Sequence, residues 1–130
     1  MNRYLTTPED VRSLALAGAT LTQVRVATSY IDLILELPGT GTAEIRVEAR
    51  GTVTSGGDAM TTDAGPTLGS QVLSLLDTRI DSVESRGLDL LLTFGPERTL
   101  VIHVDHSGYE SYSVTISGDT WVAIGAASDE

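Results

Sequence analysis

Few side chains in this chain have the types and spacing that chemistry needs, and the densest group is His103-Val104-Asp105-His106. On a strand, His103 and Asp105 point to one side, as two ligands of a metal ion would. Two ligands are too few for a zinc site, and His106 falls on the other side or in a turn. With 2 histidines and 0 cysteines, nothing completes the set, so the expectation is no metal and no cofactor. Nucleophilic catalysis is equally unsupported. No Gly-x-Ser-x-Gly elbow occurs, and Ser107, Ser111 and Ser113 lie near the histidines in sequence only. The glycine pair in Ser55-Gly56-Gly57-Asp58 is not followed by the Lys-Ser or Lys-Thr of a phosphate cradle. Carboxylates are abundant, yet none stands at a spacing that singles out an acid/base pair. The chain reads as a non-enzyme.

Charge says more. The net charge is -10, with 8 arginines and no lysine. Such a surface repels phosphate backbones and anionic membranes, so neither nucleic acid nor a membrane is an expected partner. It would steer a basic protein toward itself. The candidate contact residues are Glu44 and Glu48, on the outward side of a strand, and the string Tyr109-Glu110-Ser111-Tyr112. Aromatic anchors beside an acid suit protein recognition. A structural role competes with this, in which Tyr112 fills the core and Glu110 caps a turn. Trp121 reads as a partly buried anchor.

The elements that hold these residues come in two copies. Leu14–Leu21 lies over Leu73–Ile80, Ile31–Leu37 over Leu88–Phe94, and Ala43–Glu48 over Leu100–Asp105. An internal repeat constrains architecture before any motif does. Each copy opens with a short helix. Thr7 caps the first, Pro8 fits its first turn, Glu9 and Asp10 face the positive end of its dipole, and Gly18 ends it. The second begins near Pro66, with Leu68, Val72, Leu75 and Leu76 as its apolar stripe and Asp77 in the place of Gly18.

Strands follow. First strands are expected at Leu21–Ala27 and Ile80–Ser85, then hairpins that put Leu33, Leu35, Ile45 and Val47 inward in one copy. Leu90, Leu92, Ile102 and Val104 are their counterparts in the other. A final hairpin joins Tyr112–Ile116 to Trp121–Ile124. The Gly, Thr and Ser-rich stretch Gly51–Pro66 reads as a mobile linker with one short strand around Thr52–Thr54, and Ala126–Glu130 as a frayed end. The expected fold is therefore a single α+β domain of two helix-plus-antiparallel-meander units related by a pseudo-two-fold. Unit one covers about residues 7–50, the linker about 51–66 and unit two about 67–125. Ile34, Leu91 and Val101 interrupt the polar outward side, so either helices cover them or they form a homodimer interface.

The strand-turn-strand pattern Leu88–Val104, followed by Tyr109-Glu110-Ser111-Tyr112, resembles a family of small uncharacterised actinobacterial domains that carry a Tyr-Glu-Ala/Ser-Trp motif. Tyr112 stands where the tryptophan is usual. The resemblance spans Leu14 to Ile124 and implies no activity. Domains of this kind are similar in type to immunity proteins of bacterial toxin systems. No run of 18 apolar residues and no signal-peptide stretch occurs, and the cytoplasm of a bacterium is the expected location. The expected function is that of a cytosolic immunity-type inhibitor occluding a basic toxin surface. The alternative is a small-molecule-binding or regulatory module that uses the groove between the units.

Overall fold

The structure is a computed structural model, described for residues 2–105 and 107–125. His106 and residues 126–130 lie outside them, and so does the expectation of a frayed C-terminal end. In chain order the elements are β1 (Asn2–Tyr4), α1 (Pro8–Arg12), β2 (Thr20–Val26), β3 (Ile31–Glu36) and β4 (Thr42–Val47). Then come β5 (Arg50–Ser55), β6 (Asp58–Asp63), α2 (Pro66–Val72) and a single 3-10 turn at Leu73–Leu75. The chain closes with β7 (Ser82–Arg86), β8 (Asp89–Thr93), β9 (Arg98–His103), β10 (Glu110–Ile116) and β11 (Asp119–Ile124). The α+β class holds, with strand predominating over two short helices.

Two sheets form. The first has the order β1-β11-β10-β4-β3-β2, and the second β6-β5-β9-β8-β7. One contiguous core contains the inner faces of both, including Leu33, Leu35, Ile45, Val47 and Val114 from the first and Val53, Leu90, Leu92, Leu100 and Ile102 from the second. Alternation explains the choice: residues two apart share a face, and the apolar ones are buried. The pairing in the two meanders matches. Leu33 faces Ile45 and Leu35 faces Ala43 in the first sheet; Leu90 faces Ile102 and Leu92 faces Leu100 in the second. Val47 is buried and its counterpart Val104 is half-buried.

The stretch 51–66 is not a mobile linker. It forms the β5–β6 hairpin, and the short strand expected at Thr52–Thr54 runs from Arg50 to Ser55. Its alternation is hidden because the outward residues are threonines while the inward ones are Gly51 and Val53. The space at Gly51 is tight: a Cβ would stand 3.2 Å from the Leu68 side chain and 3.3 Å from Val101 O. Gly56 and Gly57 both have positive φ, which suits a two-residue hairpin turn whose twist matches the strands.

Chain routing also departs from a simple side-by-side pair. The β5–β6 hairpin follows β4 of the first sheet, yet β5 pairs with β9 of the second. The β10–β11 hairpin follows β9 of the second sheet, yet β10 pairs with β4 of the first. Each meander is thus widened by the hairpin that follows the other.

The first helix has the expected cap: Asp10 N–H donates to Thr7 Oγ1 at 3.1 Å, and Thr7 N–H donates back to Asp10 Oδ2 at 3.1 Å. It ends at Arg12, well before Gly18, because the next residues are claimed by other contacts. Leu14, Leu16 and Ala19 enter the core, and Gly18 N–H donates to Ile80 O. Asp77 N–H donates to Leu21 O, Leu21 N–H to Thr78 O, and Ile80 N–H to Ala19 O. Gly18 and Asp77 both have positive φ. The second sheet's first strand begins at Ser82 rather than Ile80, since Ile80 belongs to this junction. The α1 helix packs on β7 and β8, and α2 packs on β2, β3, β5 and β6. At α2 a Cβ on Gly69 would meet Val26 at 2.5 Å, so the helix can lie this close only without a side chain there.

Candidate functional site

The outer face of the first sheet carries the acidic candidates. Arg46 on β4 and Asp32 on β3 are cross-strand partners and form a bidentate pair at 2.7 and 3.0 Å. The Arg46 guanidinium also lies 4.1 Å from the centre of the Tyr30 ring. Asp32 is buried despite its charge, which the paired geometry allows. Glu44, Arg46, Glu110, Ser113 and Thr115 line a shallow cleft of about 220 Å³.

At the end of β4, Glu48 meets Glu110 across the sheet. Burial first, then its hydrogen bond to the Glu110 carboxylate and the charge of Glu110, push the Glu48 carboxyl up to about 7. The charge of Arg46 opposes this without cancelling it. Glu48 Oε2 is buried and has no hydrogen-bond partner. Spacing could not reveal this pair: the two residues come together because β10 crosses from the second sheet to pair with β4.

The Tyr109–Tyr112 string divides. Tyr109 is 78% exposed. Tyr112 is fully buried and its hydroxyl donates to Leu88 O at 2.7 Å. Tyr112 is therefore a core residue and offers no surface to a partner. A bulge between Glu110 and Tyr112 separates the outward acid from the inward ring. Of the apolar outward residues, Leu91 and Val101 face each other across strands and are both buried, while Ile34 is half-buried. Leu91 and Val101 present little surface to a second copy.

The second sheet holds a group that spacing does not show. His103 Nδ1 lies 2.8 Å from Asp89 Oδ2, and His103 Nε2 lies 2.7 Å from Thr52 Oγ1. Thr52 Oγ1 is in turn 2.6 Å from Thr61 Oγ1. Val104 N–H donates to Asp89 Oδ1 at 2.8 Å, which orients the carboxylate. Arg50, Thr52, Thr61, His103, Val104 and Asp105 line an open cleft of about 390 Å³. His103 is thus engaged by Asp89 and Thr52, and among the described residues no group of three or more metal-ligating side chains gathers. One signal was present in the sequence. The repeat aligns Asp89 with Asp32 and His103 with Arg46, and the structure pairs the members in both sheets.

Among the described residues, no helix is long and apolar enough to cross a membrane. No family model matches the chain, and no curated protein or solved structure matches it.

Proposed function

We propose that the chain is a cytoplasmic protein-binding module, most concretely an immunity-type inhibitor that covers a basic surface of a toxin-like partner. It acts by occlusion, through Glu44, Glu48, Glu110 and the exposed Tyr109. The observation that carries this reading is the acidic cleft on that face, which Glu44 and Glu110 line, with Glu48 held against Glu110 and Tyr109 exposed. A lysine or arginine from a partner pairs with the exposed Glu110 carboxylate and relieves its repulsion with Glu48, without reaching the buried Oε2. The net charge of -10 supports steering of such a partner over the 8–10 Å or so that ordinary salt allows. The resemblance to the actinobacterial domains belongs to the same proposal.

The reading includes a pseudo-two-fold between two units. Four hydrogen bonds at the Gly18–Leu21 and Asp77–Ile80 junction support it, since each has its reciprocal. The matched cross-strand pairs support it further.

The test is capture of a partner from the source's own cell extract, followed by binding kinetics with that partner purified. Glu44→Arg together with Glu48→Arg should slow association and flatten its salt dependence. Tyr109→Ala should speed dissociation about tenfold, the equivalent of about 1.4 kcal/mol. Unchanged rates in both variants would remove this face from the proposal.

A pH dependence follows from Glu48. Its folded pKa of about 7 exceeds the unbound carboxylate value of 4.5, so the folded chain holds a proton there that the unfolded chain releases. That contribution to stability is fully present below pH 4.5 and is lost as pH rises through about 7. Glu48→Gln should therefore flatten the fall in melting temperature between pH 5 and pH 8. Partner binding should release a proton at neutral pH and tighten as pH rises, which calorimetry in buffers of different ionisation enthalpy would read.

A further inference from the structure

We propose that Thr52 is a nucleophile toward small activated carboxylic esters, with His103 as its base and Asp89 as the group that orients that base. The site lies on the second sheet and stands independently of the binding face on the first.

The hydrogen bonds define one direction. A carboxylate can only accept, so His103 donates from Nδ1 to Asp89, and in the neutral imidazole Nε2 then carries the lone pair. The partner of that lone pair is the Thr52 hydroxyl, at 2.7 Å. Thr61 then donates to Thr52 Oγ1. A hydroxyl, an imidazole and a carboxylate in this order are the parts of a general-base-activated nucleophile. All the contacts fall within the range that proton transfer requires. Arg50 lines the same cleft and brings the positive charge that favours a developing oxyanion.

The first sheet contains a related arrangement, in which arginine replaces the histidine and stacks on Tyr30. Thr115 Oγ1 and Thr120 Oγ1 lie 2.9 Å apart across β10 and β11, as Thr52 and Thr61 do across β5 and β6. Thr115 faces Glu44, the repeat counterpart of Val101, which Thr52 faces. Asp32 holds Arg46 there, where Asp89 holds His103 here. Arginine has no lone pair to offer and stays protonated, so the first sheet cannot pass a proton from a hydroxyl. Histidine at position 103 is what converts a structural ion pair into a proton acceptor.

The step balances. Thr52 Oγ1 attacks the carbonyl carbon as its proton passes to His103 Nε2. The C–O bond to the leaving group breaks, and the proton on His103 leaves with the departing oxygen as an alcohol. Thr52 remains as an ester, which water returns to the free hydroxyl with release of the carboxylic acid.

The experiment treats the whole chain with p-nitrophenyl acetate and follows nitrophenol release and peptide masses. The expected result is a burst of about one equivalent followed by slower release as water clears the ester, and a single acetyl group on the Thr52 peptide trapped during the burst, with Thr115 unmodified. Thr52→Ser should keep the label and Thr52→Val should lose it. His103→Arg copies the pair already folded in the first sheet. It should retain the wild-type melting profile while the rate of Thr52 labelling falls about a hundredfold or more. His103→Gln serves as the second variant and should show the same fall. No acetyl on Thr52 in the wild type overturns the proposal, as does equal labelling of Thr52 in the His103 variants.

Discussion

Truncating Leu92 to alanine should lower unfolding free energy by about 2–5 kcal/mol, and Leu35→Ala should do the same. Both side chains are fully buried in the shared core, at matching places in the two meanders: Leu35 faces Ala43 and Leu92 faces Leu100. Each loss combines the transfer of the removed carbons to water with a cavity that a close-packed interior closes only in part. Leu100 is bulkier than Ala43 and can lean into the vacated volume. The Leu35 variant should therefore lie toward the larger end of the range. Urea titration with both variants checks this. A loss below about 1 kcal/mol in either would mean that its meander does not contribute to the common core.

Tyr112→Ala should be at least as damaging, about 3–5 kcal/mol, because a fully buried aromatic ring is removed from a central strand of the first sheet. Tyr112→Phe separates the ring from its hydroxyl. The hydroxyl donates to Leu88 O at 2.7 Å, so its removal should cost about 1–3 kcal/mol by leaving that carbonyl without its donor. Burial, with a smaller contribution from the charge of Asp89, raises the pKa of this hydroxyl, so it stays a donor across the working pH range. Chemical denaturation reads both variants. Partner association rates should be unchanged for Tyr112→Phe, in contrast to Tyr109→Ala, where stability is expected to hold and dissociation to quicken.

The core was legible from alternation alone. Leu33, Leu35, Ile45, Leu90, Leu92 and Ile102 are buried where the period of two puts them. The capped start of α1 was legible for the same local reason: Thr7, Pro8 and Asp10 act within one turn. What could not be read depends on distant segments meeting. Gly51–Pro66 has the composition of a loop, because hydroxyls occupy its outer face and a glycine its inner one. It becomes strand only when β9 offers an edge. The Thr52–His103 and Glu48–Glu110 contacts exist only because hairpins cross between sheets, and Tyr112 faces inward only because a bulge precedes it. The alignment of Asp32 with Asp89 and of Arg46 with His103 was visible in the repeat, but its meaning required the cross-strand register.

The exchange of hairpins makes the two halves obligate complements. A half-chain carrying β2–β6 has a meander without its outer pair and a hairpin without a sheet to join. Neither half can bury its apolar face alone, so a break between residues 63 and 66 should yield two fragments that are unfolded apart and reassemble on mixing. The pairing that completes each sheet also spans long separations in the chain, and such closure is entropically late. Both crossovers must therefore be in place before either sheet is finished, so folding should proceed as one concerted step instead of half by half. Each half of the chain lends a hairpin to the other's meander, so neither sheet is the product of one continuous stretch.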